Sequence, residues 1–323
     1  MNHPLCRVML LLSCAVLGPA AFAAGGSAIE LKSQGVAHDA LFAIAFDGAK
    51  GIAAGAPGKI MDTTDGGQSW SAAKAFPTPL AMLGADIKGA RALAVGQMGA
   101  VCVRNEQGQW SKIESGTTER LMNVALNRKG LAVAVGAFGT VIKSADNGQS
   151  WQTVTVDFKP FLGADQIDQG IQPHFSAVNV SEEGIITIAG EFSLILRSTD
   201  GGTSWSALHK GEPAIFALEL RADGVGYAVG QDGLILRTAD NGSTWTQIAT
   251  ASKANLLGVR SVGPRVVASA MHDMLISTDD GEHWKNVQAP DVQAGWYSGV
   301  GVSTGRFMTV GFTGRIVQIN AAP

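Results

Sequence analysis

Six tryptophans divide this chain into near-equal lengths. They stand at positions 70, 110, 151, 205, 245 and 284, in steps of 40, 41, 54, 40 and 39 residues. Five of them close one phrase, Ser/Thr-x-Asp-x-Gly-x-Ser/Thr-Trp, in which Asp65, Asp146, Asp200, Asp240 and Asp279 precede Trp70, Trp151, Trp205, Trp245 and Trp284. His283 fills the second hydroxyl slot of the fifth copy, and a worn sixth copy ends at Trp110. A period of about 40 residues with room for four short strands is the signature of propeller blades.

Composition agrees with one large all-β domain. Apolar residues make up 46% of the 323 and charged residues 16%, and 41 glycines serve a chain with many tight turns. The net charge of −3, with no basic block, argues against a nucleic-acid partner. Residues 1–23 read differently. Arg7, the apolar run Val8 to Leu17 and Ala21-Phe22-Ala23 form the pattern of a secretory signal peptide. The expected location is therefore periplasmic or secreted. The alternative is a lipoprotein anchored at Cys14, although few apolar residues precede that cysteine. Removal of the signal takes Cys6 and Cys14 with it. Cys102 is then left alone in Ala100-Val101-Cys102-Val103, as a small buried hydrophobe rather than a reactive thiol.

The stretch from Ile215 to Ile248 shows the grammar of one blade. Ile215 to Leu220 is an inner strand, Val225 to Val229 a second, Leu234 to Thr238 a third and Thr244 to Ile248 an outer strand, with glycine turns between them. Within the boxed phrase the Asp accepts backbone N–H groups, glycine supplies positive φ, and Trp offers an apolar face between blades. The reading is structural, because metal binding needs ligands that converge. Inner strands begin near Leu41, Ala81, Leu121, Phe175, Ile215, Leu256 and Trp296, which makes seven blades. The last has only three strands of its own. Ala28 to Ser33 is expected to supply its fourth and so to close the ring at residues 24–323 without an open edge.

The boxed phrase resembles the Asp-box, or BNR repeat, of sialidases and other propellers. The longer unit Gly226 to Trp245 is similar to the photosystem II stability/assembly factor family. That resemblance covers the chain after the signal. It implies a seven-bladed, non-catalytic protein-binding propeller with no cofactor. Its implied partner is a membrane protein or a subunit of a membrane complex, either a photosystem or, as in related exported proteins, a transporter of the resistance-nodulation-division type. A monomer is expected. The arginine-rich patch of the photosynthetic members has no residue-by-residue match here.

Propeller topology puts the turns after second strands on one face with the links between blades, and the boxed turns on the other. Four of the seven former turns carry Met98, Phe138, Phe192 and Phe312 at their tips. The long step of 54 places an insertion within Thr155 to His174 that holds Phe158 and Phe161. These six residues are the expected partner site; the alternative is that the tips tuck onto neighbouring blades or plug the channel.

A sialidase-type glycoside hydrolase is the competing reading. It requires a tyrosine nucleophile, a carboxylate and clustered arginines. Only Tyr227 and Tyr297 exist. Tyr227 reads as core, and Tyr297 is positioned to face the channel. His38, His174, His209, His272 and His283 lack metal-ligand spacing, so no metal and no catalytic residue is expected.

Overall fold

The computed structural model describes residues 27–320. The signal-peptide reading, with Cys6 and Cys14, falls outside them. Seven four-stranded antiparallel sheets form a seven-bladed ring. Inner strands start at Ala40, Met82, Leu121, Phe175, Ile215, Leu256 and Tyr297, each within a residue of the expected position.

The N-terminal strand Ile29–Ser33 pairs antiparallel with Ile316–Ile319, matching Ile29 to Ile319 and Leu31 to Val317. The Asn320 N–H donates to the Ala28 carbonyl at 2.8 Å and ends the latch. Ile29 is buried in the junction of blades six and seven with Val287, Phe307 and Val317. The two chain ends thus share one sheet, as expected.

Second strands are buried on both faces; Ala132–Gly136, Ile186–Gly190 and Gly226–Gly230 have no exposed residue. Such strands read as continuous apolar runs of small and β-branched residues, because each face meets another blade. Their terminal glycine has a specific cause. A Cβ on Gly136 would lie 2.1 Å from the Arg120 carbonyl oxygen, and one on Gly230 only 1.9 Å from that of Ala214. The second glycine of the turn differs: Gly139 and Gly233 adopt φ of 67° and 77°. The paired glycines of Gly-x-x-Gly therefore answer to two separate constraints, close approach and left-handed backbone.

The boxed turn is a closed hydrogen-bond unit. In the fourth copy the Gly242 N–H donates to Thr238 Oγ1 (2.9 Å), and the Thr238 hydroxyl donates to Asp240 Oδ1 (2.7 Å). The Thr244 N–H and hydroxyl fill Asp240 Oδ1 and Oδ2, and Trp245 Nε1 donates to the Gly242 carbonyl at 3.1 Å. His283 takes the hydroxyl's place in the fifth copy, with Nδ1 2.6 Å from Asp279 Oδ2. Each boxed Trp packs where its blade meets the preceding one, Trp151 against blade two and Trp205 against blade three. In the worn copy Trp110 Nε1 is buried without a partner.

A strap joins successive boxes. The residue preceding the phrase donates to the fourth carbonyl of the next copy: Lys143 Nζ to Gly201 (2.7 Å), Arg197 to Asn241, and Arg237 Nε to Asp280 (2.7 Å). The outer strands are shorter than the sequence implies. Thr246–Gln247 has two residues, because the box consumes the chain up to Trp245.

The five box carboxyls are held below the ordinary Asp value of 3.8 by the Ser, Thr, His and backbone donors around them, Asp146 and Asp240 at about 2. These bonds exist only in the folded chain, so the depressed groups contribute stability that is complete above about pH 4, the unfolded Asp range. That contribution disappears as the pH falls through the folded values. In thermal melts, Asp240→Asn should lower the melting temperature at pH 7 and converge with wild type near pH 2. An equal deficit at both values would mean that the box carboxylate contributes nothing through its charge.

Candidate partner-binding face

Four of the large apolar side chains left exposed lie on the tip-and-link face: Met98 at 70%, Val36 at 66%, Phe138 at 58% and Met271 at 44%. Met98 and Phe138 were legible as tips. Met271 was missed because its turn is centred on His272, and Val36 because it sits in the first link.

The six sequence-designated residues divide. Met98 and Phe138 project from adjacent turns. Phe192 is half-buried against the junction of blades three and four, together with Phe158 and Phe161. Phe312 meets Tyr297 edge-on at 5.8 Å and lies under the Arg315 guanidinium. The tucked arrangement thus holds for Phe192 and Phe312.

The insertion is pinned to blades three and four. Phe158 stacks at a tilt on Phe175, with ring centroids 5.7 Å apart, and covers the space left by the missing Cβ of Gly139. The Gly139 N–H donates to the Pro173 carbonyl at 2.9 Å. A short helix, Ala164–Asp168, not foreseen in the sequence, starts where Gln166 Oε1 accepts the Gly163 N–H. His174 then returns the chain to the tip. Its ring lies 4.8 Å from Phe138, its Nδ1 accepts the Phe138 N–H, and its own N–H donates to Glu191 Oε2 at 2.9 Å.

Between the tips of blades two and three lies a groove of about 630 Å³, lined by Met98, Arg120, Met122, Phe138 and His174 among others. Met122 also lines the central channel, a polar space of about 340 Å³. Phe42, Leu83, Met122, Phe216 and Leu257 stand one or two residues inside the starts of their inner strands and line the channel. Trp296 stacks on Phe42 with centroids 5.6 Å apart. These residues escaped the sequence reading, although they recur near the start of the inner strand in five blades, Ser176 and Ser298 taking the position in the other two.

Both tyrosines are core. Tyr227 and Tyr297 are fully buried, and burial pushes the Tyr227 hydroxyl up to about 12 and raises that of Tyr297. Tyr297 therefore does not face the channel: it is the first residue of its strand and points into the junction of blades six and seven. Asp273 accepts from Ser252 and Asn286, while His272 turns to the Gln293 carbonyl, so these neighbours do not form a pair. Cys102 is buried and its thiol is pushed up to about 12. Among the described residues, no three His, Cys, Asp or Glu side chains converge as a metal site.

Met98 and Phe138 hold φ of 53° and 51°, the left-handed region in which Asp232 serves at the equivalent tip of blade five. Side chains other than Gly, Asn and Asp resist that conformation at a cost of about 1 kcal/mol. Replacing the exposed Met98 with Asn should therefore leave chemical-denaturation stability unchanged or raise it by up to about 1 kcal/mol. A loss beyond that would show that Met98 serves the fold.

Residues 102–213, which run from the third strand of blade two through blade three, the insertion and blade four, match the family model described as photosynthesis system II assembly factor YCF48. Comparison with curated proteins returns no match. Among solved structures, YCF48 bound to D1 peptide superposes with a TM-score of 0.70 at 17% identity, over 92% of this chain and 96% of the other. YCF48 from Cyanidioschyzon merolae gives 0.69 at 17% identity, over 91% of this chain and 99% of its own. The chain is thus a seven-bladed propeller that resembles the photosystem II assembly factor family, in sequence across residues 102–213 and in fold across nearly its whole length.

Proposed function

We propose that this propeller is a non-catalytic docking protein that binds a segment of a membrane protein through its tip-and-link face, and so supports the assembly or stability of the complex that contains it. The observation that carries this reading is the concentration of exposed apolar side chains on that face, two of them in a backbone conformation that their own chemistry disfavours. A propeller of the same fold has been solved with a bound peptide, which supports a peptide-binding role. Burial of both tyrosines favours docking over a sialidase-type reaction.

The signal-like segment at residues 1–23 supports a site of action outside the cytoplasm, and the proposed working form is a monomer. A photosystem core subunit and a transporter of the resistance-nodulation-division type both meet the description of the partner. A photo-cross-linking amino acid at position 98 or 138 in cells should capture one membrane protein, whose identity chooses between them. The same probe at Ser243, on the box face, should capture none. Capture from Ser243 but not from the tips would overturn the assignment of the face.

A further inference from the structure

The groove between blades two and three is apolar at its floor, with Glu119 and Arg120 in its lining, and the segments that flank it carry more carboxylates than cations. Glu114 and Glu119 lie in the link entering blade three, Asp157, Asp165 and Asp168 in the insertion leaving it, and Glu191 at the tip of blade four. None of these six carboxylates belongs to an ion pair among the described residues. The same links and tips offer two unpaired cations, Arg120 and Lys159. Other charges on both faces are paired: Arg104 meets Asp62, Arg128 meets Asp47 and Arg221 meets Asp223 and Asp280 on the box face, and Lys59 meets Asp39 and Arg315 meets Asp291 by the tips of blades one and seven.

We infer that the segment this groove receives is a cationic, apolar stretch of partner polypeptide, its apolar side chains seated among Met98, Met122 and Phe138 and its Lys or Arg side chains facing the surrounding carboxylates. This inference rests on the docking-face reading above and adds the chemistry of the partner. Methionines give the floor adaptable packing, and the exposed Phe138 ring offers a cation a π face. The carboxylates repel acidic segments and anionic lipid headgroups, so the arrangement selects by charge as well as by shape.

The test is fluorescence anisotropy with the purified protein and three labelled peptides, in which Leu alternates with Lys, with Ser or with Glu. The Leu/Lys peptide should bind tightest and weaken as salt rises. The double variant Met98→Ala/Phe138→Ala should weaken it about tenfold, as loss of central apolar anchors does. The variant Glu114→Gln/Glu119→Gln/Asp165→Asn/Asp168→Asn should weaken it about fivefold at low salt and flatten the salt dependence. All six positions are exposed or half-buried, and unchanged melting temperatures would show that the variants fold.

Equal binding of the Leu/Ser or Leu/Glu peptide, still sensitive to Met98→Ala/Phe138→Ala, would overturn the cationic specificity and leave the docking face standing. Binding indifferent to Met98→Ala/Phe138→Ala, or no binding of any peptide, would overturn the groove as the site, while cross-linking in cells reports on the face separately. Attachment to phosphatidylglycerol vesicles through Met98 and Phe138 would replace a polypeptide partner with a membrane surface and overturn the inference.

Discussion

Every blade of this ring buries both faces of its sheet, so no blade is stable without a neighbour on each side. That constraint makes the latch at Ile29–Ser33 decisive. It completes the seventh blade, whose Met308, Val310 and Ile316 pack against Leu41, Ile44 and Ala53 of the first. Without it the edge of Ile316–Ile319 would stand open as a template for pairing. The boxes act one level higher. Each ties its own hairpin through an Asp, inserts a Trp against the blade before it, and in three cases receives a strap from that blade's Lys or Arg.

This division of labour leaves the opposite face free. The box face spends its polar groups on holding sheets together. The tip face carries the links, the pinned insertion and the channel mouth, and it is here that large apolar side chains remain exposed. Met98 and Phe138 do not improve their own turns, whose geometry favours a residue such as Asp232.

Much of the architecture could be read before any coordinates. The Trp period indicated a propeller, the seven inner-strand starts set the blade count, and the alternating strand Ile29-Glu30-Leu31 near the N-terminus indicated the closure. Periodicity carries such information because a repeat constrains every copy alike. The site was only half legible. Met98 and Phe138 followed from their turns, but Phe192 and Phe312 occupy matching turns and are tucked against neighbouring blades. The difference depends on what each neighbour presents, such as the Arg315 guanidinium over Phe312. Tyr297 pointed into a blade junction instead of the channel because a strand's first residue and its second face opposite ways, and the sequence does not fix which comes first. The channel-lining residues were hidden for the same reason.

The claim that the partner docks on the tip face is tested most directly by hydrogen–deuterium exchange on the protein alone and saturated with its captured partner. The account predicts new protection at residues 97–99, 118–122 and 137–139, with the boxed turns unchanged. Protection confined to the boxed turns, with the tips exchanging as before, would contradict it.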